Sequence, residues 1–205
     1  MIIACVIAYN EERMLPGCLE SVRDQVDRMV VVDGAYARFP HPVGHPESTD
    51  RTREIAWCFG VEIIPLPAGR AWEDQVEKRN AYLVGEAGDW YLMVDADERL
   101  VGTLPEREPG RHYAFQVATR DGRMAWVPRL WQHPASGRIY YEGAHNALWL
   151  DGGLMRLEDA IQVPPVRCRL EHLSHLREVR RQRDKAQFLP GRQERERVYR
   201  MLYGI

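Results

Sequence analysis

The chain has 205 residues, of which 45% are hydrophobic and 28% are charged. A chain of this size and composition can bury a core without disulfides. Its 28 Lys and Arg residues nearly balance its 30 Asp and Glu residues, which argues against binding to a phosphate backbone by charge alone. No apolar run approaches the roughly 20 residues of a membrane-spanning helix, and strand-like sequence begins at Ile2. We therefore expect a cytoplasmic protein with no transmembrane segment or signal peptide.

The cysteines are scattered, and none forms a C-x-x-C pair. This spacing predicts neither a zinc cluster nor a disulfide framework. We expect the thiols to be small buried hydrophobic groups. They are Cys5, Cys18, Cys58 and Cys168.

Short apolar runs alternate with helical patterns through the first half of the chain. The apolar runs predict strands at 2–8, 29–32, 61–64 and 90–94. Apolar residues spaced three and four apart predict helices at about 15–26, 49–59 and 73–87. This β-α-β-α-β-α-β order predicts a parallel sheet covered by helices, with a ligand crevice at the carboxyl ends of the strands.

Polar residues follow three of these strands, where the crevice is expected. Tyr9–Glu12 follows the first strand, Asp33 ends the second, and Asp95–Glu98 follows the fourth. Asp, Asn and Gly after one strand are typical of a turn. Acidic residues after three strands favour a functional site instead.

The second half has a different pattern. The strands at 112–119 and 124–127 flank Asp121-Gly122, which predicts a tight hairpin, and a further strand is expected at 139–141. We expect these strands to form an antiparallel extension beside the parallel sheet. The residues from Leu176 onward predict an Arg-rich helical tail.

The predicted organisation is therefore an α/β half at 1–110, an antiparallel part of the same domain at 111–175, and the helical tail at 176–205.

Asp95 and Asp97 form a D-x-D motif directly after a buried strand. In an extended segment, residues i and i+2 point the same way, so we expect the two carboxylates on one side of the strand end. Mg²⁺ and Mn²⁺ are held by one or two carboxylates together with substrate phosphates. The motif therefore predicts a site for Mn²⁺ or Mg²⁺ that binds a nucleotide diphosphate.

Taken in order, five motifs in residues 3–100 resemble the nucleotide-sugar-binding half of family 2 glycosyltransferases of the GT-A fold. They are Ala8-Tyr9-Asn10-Glu11-Glu12, Val31-Val32-Asp33-Gly34, Ser48-Thr49-Asp50-Arg51-Thr52, Lys78-Arg79-Asn80 and Asp95-Ala96-Asp97-Glu98. The resemblance implies a GT-A-like, Rossmann-type sheet that is mainly parallel and flanked by helices. The sequence departs from the family pattern at 35–47, where extra residues are inserted. We expect this insertion to form a lid or an acceptor-contacting loop.

The resemblance also implies roles for individual residues. The nucleotide-sugar ligands would be Tyr9, Asn10, Glu11, Asp33, Arg79 and Asp95. Within this set, Tyr9, Glu11 and Asp33 would hold the base and ribose, and Arg79 would approach the diphosphate or the sugar. Asp95 and Asp97 would organise the metal. We interpret Ser48, Arg51 and Thr52 as a helix N-cap and first turn instead of ligand contacts.

The second half resembles, less specifically, the acceptor half of one branch of the same family. The motifs are Pro128-Arg129-Leu130-Trp131, Tyr141-Glu142-Gly143-Ala144-His145-Asn146 and the segment around His172. Asn146 stands where the family has a glutamate, so Glu142 and His145 become the candidate catalytic bases, with Asp121 more distant. His172 would complete the metal shell or contact the diphosphate, and His175 is the weaker choice.

The expected reaction is metal-dependent transfer of a sugar, with inversion, from a UDP- or GDP-linked donor to an acceptor. The sequence does not identify the acceptor; an anionic glycan, lipid, protein or nucleic acid is a candidate. One alternative is a nucleic-acid or partner-binding module that uses the Arg-rich tail. Another is a sugar nucleotidyltransferase, although Tyr9–Glu12 is not the Gly-rich loop that such enzymes carry after strand one.

Overall fold

The computed structural model describes residues 1–37, 45–118, 123–143 and 147–173. Within these residues the helices are α1 (Leu15–Val22), α2 (Thr52–Cys58) and α3 (Gln75–Ala81). The strands of the first half are β1 (Ile2–Ala8), β2 (Arg28–Asp33), β3 (Glu62–Ile64), β4 (Trp90–Met93) and β5 (Glu98–Gly102). Those of the second half are β6 (His112–Ala118), β7 (Met124–Gln132), β8 (Ile139–Glu142), β9 (Ala147–Leu150), β10 (Gly153–Leu154), β11 (Ile161–Gln162) and β12 (Cys168–His172).

Most of these strands form one mixed sheet with the order β3-β2-β1-β4-β7-β6-β12-β5, in which β11 pairs with β6. The first four strands are parallel to one another, whereas β7 is antiparallel to both β4 and β6. The predicted α/β class and the parallel first half are therefore confirmed. The antiparallel hairpin is also present, and it joins the parallel part edge to edge through β4 and β7.

The second part of the sheet curls back on itself. β4 ends at Met93 and β5 begins at Glu98, yet β7, β6 and β12 separate the two strands in the sheet order. Because only a short turn joins them, the intervening strands must curve until β5 returns to the end of β4. Side chains on the inner side of β5, β7 and β12 consequently converge near that turn.

The core lies on both faces of the sheet, as the apolar runs predict for covered strands. On one face, α1 buries Leu15, Cys18, Leu19 and Val22 against the sheet at helical spacing. On the other face, Tyr82 at the end of α3 joins a second cluster with Trp131 and Tyr141. Alternate residues of β1 point into the two clusters.

The strand predicted at 139–141 is present as β8, but its position differs from the prediction. Instead of extending the antiparallel hairpin, β8 pairs with β9, and β9 pairs with β10, in a separate three-stranded sheet. The main sheet cannot accept β8 beside β7, because β4 and β6 already occupy both edges of β7. The small sheet packs through Ile139, Tyr141 and Leu148 on the second core cluster.

The helices are shorter than their sequence patterns predict. α1 ends at Val22, after which the Asp27 carboxylate accepts a hydrogen bond from the Ile2 amide at 2.6 Å. The chain therefore leaves the helix before Asp27, so that the Asp27 carboxylate can bond the start of β1. α3 begins after Asp74, whose carboxylate caps the helix by accepting from the Glu77 amide at 2.9 Å.

No helix within the described ranges has the length and apolar character needed to cross a membrane. The helical tail predicted at 176–205 and His175 lie outside the residues that the structure describes. The domain boundaries at 110 and 175 remain predictions.

A glycine in β5 gives a direct test of the curled sheet. Gly102 has φ +98, and a Cβ there would lie 2.1 Å from the Arg167 carbonyl oxygen beside β12. Gly60 is a matched control, since its φ is +67 and a Cβ there would meet nothing within 4 Å. We expect Gly60→Ala to lower the free energy of unfolding by about 1 kcal/mol, and Gly102→Ala by about 2–4 kcal/mol. Equal losses in urea denaturation would contradict the close approach of β5 and β12.

Candidate functional site

The order of the strands reverses at β1. The chain runs from β1 to β2 and β3 on one side of β1, and then crosses to place β4 on the other side. In open α/β sheets, ligands bind beyond the carboxyl ends of the strands at such a switch point. Asn10 follows β1, Asp33 ends β2 and Asp95 follows β4, so the predicted polar residues lie along one edge of the sheet.

Two of the sequence motifs bind each other at this edge. Asn10 has a left-handed backbone with φ 51, which asparagine tolerates better than most residues. Its amide donates to Ser48 Oγ at 2.8 Å, and its side-chain oxygen accepts from the Thr49 amide at 2.8 Å. One residue further on, the Glu11 amide donates to Thr52 Oγ1 at 2.6 Å. The serine-threonine motif therefore fixes the loop that follows β1.

Asp33 is bonded by the same serine, and we call the hydrogen bonds of Ser48 with Asn10 and Asp33 the Ser48 lock. The Ser48 hydroxyl donates to one oxygen of its carboxylate, and the Ser48 amide donates to the other at 3.1 Å. The side chain is 5% exposed, and Arg53 Nε lies 3.9 Å from it. The predicted N-cap role of Ser48 is therefore wrong. α2 begins later, at Thr52, because Ser48 bonds the end of β2 instead of the helix.

Lys78, which belongs to α3, bonds the ends of both β1 and β2. Its buried ammonium group donates to the carbonyl oxygens of Ala8, at 2.6 Å, and of Gly34. The same group lies 5.2 Å from the centre of the Tyr36 ring, a cation–π distance. The spacing of the two strand ends that carry Asn10 and Asp33 therefore depends on this lysine.

Asp95 and Asp97 lie in a tight turn, not in the extended segment that the i, i+2 argument assumes. The Glu98 amide donates to the Asp95 carbonyl oxygen at 2.8 Å, and the Asp95 amide donates to the Glu98 carboxylate at 2.9 Å. The reason is that the chain must reverse here to start β5. Strand alternation therefore does not set the directions of the two side chains, and each aspartate has its own partner, Arg79 for Asp95 and His172 for Asp97.

The Asp95 carboxylate is held by Arg79. Arg79 Nη2 donates to Asp95 Oδ1 at 2.7 Å, with the arginine side chain 4% exposed and the aspartate 28% exposed. The arginine therefore lies deeper in the protein than the aspartate that it holds. Its Nε has no hydrogen-bond partner among the described residues. The structure brings Arg79 to the predicted site, with Asp95 nearer to solvent.

Arg129 reaches the same turn from a bulge in β7. Tyr113 pairs with Leu130 and Ala114 pairs with Pro128, so Arg129 is the extra residue between them. A bulge redirects a side chain, and Arg129 Nη2 lies 2.6 Å from Glu98 Oε1 and 3.8 Å from Asp95 Oδ2. Burial raises the pKa of Glu98 to about 7, although the charge of Arg129 acts to lower it.

Asp97 pairs with His172 from β12. His172 Nε2 lies 2.9 Å from Asp97 Oδ2, and the Leu173 amide donates to the Asp97 carbonyl oxygen at 2.7 Å. The hydrogen bond with Asp97 raises the pKa of His172, against the lowering effect of its burial. A carboxylate oxygen and an imidazole nitrogen therefore face each other on fixed backbone.

The part of the chain described by the structure contains no group of three or more His, Cys, Asp or Glu side chains arranged to hold a metal ion. The predicted ligands Asp95, Asp97 and His172 share one corner of the site, but Asp95 Oδ1 is turned to Arg79. Their metal role remains a prediction.

For the remaining predicted residues the structure gives their burial or nothing. Glu11 is buried and Tyr9 is half-buried at the end of β1. Glu142 is exposed at the end of β8. His145 and Asp121 lie outside the residues that the structure describes, so the choice of base remains a prediction.

Sequence reasoning assigned no role to Lys78, Glu98 or Arg129, all of which are buried in or under the site. One signal was available for Arg129. A proline inside a strand marks an edge or a bulge, and Pro128 directly precedes it within β7.

No protein-family model matches the chain. Similarity to curated proteins is limited to part of each one. A TPR repeat-containing protein from Synechococcus elongatus is 36% identical over 98 residues, which cover 47% of this chain and 20% of that protein. An uncharacterized glycosyltransferase from Rickettsia typhi is 29% identical over 125 residues, covering 61% of this chain and 36% of the relative. The similarity to proteins named as glycosyltransferases confirms the resemblance that the motifs predict.

Similarity to solved structures is weaker. Glucosyl-3-phosphoglycerate synthase from Mycobacterium tuberculosis, solved with Mn²⁺, UDP and glucosyl-3-phosphoglycerate, is 23% identical to the chain. The match covers 48% of this chain and 34% of that one, with a TM-score of 0.37. The chain spans between a fifth and two fifths of the length of the curated relatives and the solved structure named above.

The lock formed by Ser48 can be tested by its effect on stability. Ser48→Ala removes the hydroxyl that joins Asp33 to the Asn10 amide, and we expect the free energy of unfolding to fall by about 1–3 kcal/mol. Thr49→Ala is the matched control, because the Thr49 amide makes the 2.8 Å bond to Asn10 whereas its hydroxyl lies at 3.5 Å. Urea denaturation should show a change of less than about 0.5 kcal/mol for the control. A similar loss in both variants would contradict the lock.

Proposed function

We propose that the chain transfers a sugar from a nucleoside diphosphate sugar to an acceptor nucleophile. The observation that carries this proposal is the Asp95–Glu98 turn, where three carboxylates and a histidine meet two buried arginines at the switch point of the sheet. Perturbed ionisable groups that cluster in a crevice are characteristic of functional sites. The similarity to proteins named as glycosyltransferases supports sugar transfer as the chemistry.

The residues present fit a divalent cation. Asp97 and His172 would offer an oxygen and a nitrogen ligand once the cation displaces the proton of the 2.9 Å hydrogen bond that joins them, and Asp95 lies in the same turn. Two or three side chains are enough, since Mg²⁺ and Mn²⁺ complete their shell with water and substrate phosphates. When bound, the cation neutralises negative charge on the departing diphosphate.

The chain's own residues would bind and orient the donor. Asn10 and Asp33, fixed by Ser48, form the end of the site at which the base and ribose would lie. Arg79 and Arg129 hold the carboxylates of Asp95 and Glu98 in place, so these carboxylates need not reorganise when a ligand binds. In many enzymes, preorganised charges and dipoles make the largest single contribution to the rate enhancement.

Proton removal from the acceptor requires a base on the side of the site away from the diphosphate. Glu142 at the end of β8 and His145 are the candidates, and a base on that face of the sugar would give inversion. The alternative binding module rests on the tail at 176–205, outside the described residues. The site described above gives that alternative no support.

Replacing the aspartates of the turn tests the proposal. A panel of UDP-, GDP- and dTDP-sugars, with and without Mn²⁺, should identify one donor that the protein hydrolyses slowly and only with metal. We expect Asp97→Ala and Asp95→Ala to lower that rate at least about 100-fold, because each removes a carboxylate that would hold the cation at the diphosphate. Asp24→Ala is the control, since the Asp24 side chain is 93% exposed.

Full turnover in both turn variants would contradict the assignment. Salt-sensitive binding of nucleic acid that needs no metal, together with no donor hydrolysis, would favour the binding module instead.

The base is tested separately. Glu142→Gln keeps the shape of the side chain but cannot accept a proton, so we expect kcat for donor hydrolysis to fall about 10²- to 10⁴-fold with unchanged donor affinity if Glu142 is the base. His145→Ala is measured in parallel. Unchanged kcat in both variants would exclude both candidates and turn attention to Asp121.

A further inference from the structure

A buried chain of hydroxyl groups runs from Arg79 toward the small sheet. Arg79 Nη1 donates to the Tyr82 hydroxyl at 3.2 Å, and this hydroxyl donates to the Tyr141 hydroxyl at 2.8 Å. The Tyr141 hydroxyl in turn lies 3.4 Å from Met93 Sδ at the end of β4. We propose that Tyr82 and Tyr141 are positioning residues, which fix Arg79 and, through it, the Asp95 carboxylate. This inference rests on the proposed function of the site.

The two ends of the Arg79 guanidinium have different partners. Nη2 holds Asp95 Oδ1, whereas Nη1 holds the Tyr82 hydroxyl. A flexible arginine alone would not define where the carboxylate points. With both ends bonded and 4% of the side chain exposed, the guanidinium plane is fixed.

Tyr141 is itself held from the helix that carries Arg79. The Asn80 side chain donates to the Tyr141 carbonyl oxygen at 3.0 Å and accepts from the Tyr141 amide at 2.7 Å. The Tyr82 and Tyr141 rings also pack edge to face, with their centres 5.8 Å apart. Three hydrogen bonds therefore join Tyr141 of β8 to the end of α3, two from the Asn80 side chain and one from the Tyr82 hydroxyl.

This junction has a functional consequence. β8 carries Glu142, the described candidate base, one residue after Tyr141. α3 carries Arg79, which holds the aspartate at the donor end. The hydroxyl chain consequently sets the position of the acceptor side of the site relative to the donor side. Burial raises the pKa of Tyr82 to about 12, so the hydroxyl stays neutral and donates a hydrogen bond.

Removing single hydroxyl groups tests the inference. The measurement is the affinity of the protein for Mn²⁺ with UDP, with GDP and with dTDP in turn, by titration calorimetry. We expect Tyr82→Phe to weaken the affinity for the preferred pair about tenfold, as is typical when the hydrogen-bond partner of a metal-site residue is lost. Tyr141→Phe should weaken it in the same direction by a smaller factor.

Tyr91→Phe is the matched control. Tyr91 is also fully buried and belongs to the same core cluster, but its hydroxyl accepts from the Gly85 amide, at 2.8 Å, and makes no contact with Arg79. We expect Tyr91→Phe to lose thermal stability comparably to the other variants and to bind within twofold of the wild-type affinity.

A double variant identifies the route of the effect. In an Arg79→Met background, adding Tyr82→Phe should cause no further loss of affinity, because the tyrosine acts through the arginine. Losses that add would contradict this route. Tyr82→Phe binding within twofold of the wild-type affinity would overturn the inference, and Tyr141→Phe carries the same criterion if Tyr82→Phe does not fold.

Failure of the proposed function would give a different result. In that case the wild-type protein would bind none of the three nucleotides with Mn²⁺, and the inference would fall with it before any variant is compared.

Discussion

The site depends on opposite charges that are buried against one another around a single turn. Arg79 and Arg129 are nearly inaccessible, and so are Asp97 and Glu98. Charged groups removed from water lose several kcal/mol of hydration each, so such a cluster is retained only with close pairing. Apolar residues of the same size would often be at least as stable. The cluster therefore argues for a functional constraint on these positions more than for a contribution to stability.

The curl of the sheet is what makes this cluster possible. β5, β7 and β12 belong to different parts of the chain, yet each delivers one ionisable side chain to the turn that follows β4. Glu98 and His172 are register partners in the β5–β12 pair. The antiparallel half of the protein is thus part of the construction of the site, and the parallel half alone would leave Asp95 and Asp97 without Arg129 and His172.

Much of the parallel half could be predicted from the sequence, because buried strands are continuous apolar runs and each one ends in polar residues. The antiparallel half was harder. The pairing of β5 with β12 is set by contacts between residues far apart in sequence, and neither strand has a strong pattern of its own. The prediction that strand alternation places the Asp95 and Asp97 carboxylates on one side assumed an extended backbone, whereas the structure has a turn there.

Sequence reasoning proposes site residues where one residue type carries the chemistry, as at Asp33 and the D-x-D motif, and the structure places these residues at the carboxyl ends of β2 and β4. The role of a residue was not predictable where its side chain hydrogen-bonds an element that is distant in sequence. Ser48 has the sequence of an N-cap, but its partner is the end of β2. Lys78 resembles an ordinary helix lysine until the carbonyl groups of two strands are seen to surround it.

The central claim is that the turn after β4 binds a divalent cation together with the diphosphate of a donor. A crystal structure with Mn²⁺ and a nucleoside diphosphate, with anomalous scattering recorded for manganese, tests it most directly. We expect a manganese peak between the diphosphate and the side chains of Asp97 and His172. A bound nucleotide without that peak, with the Asp97–His172 hydrogen bond still intact, would contradict it.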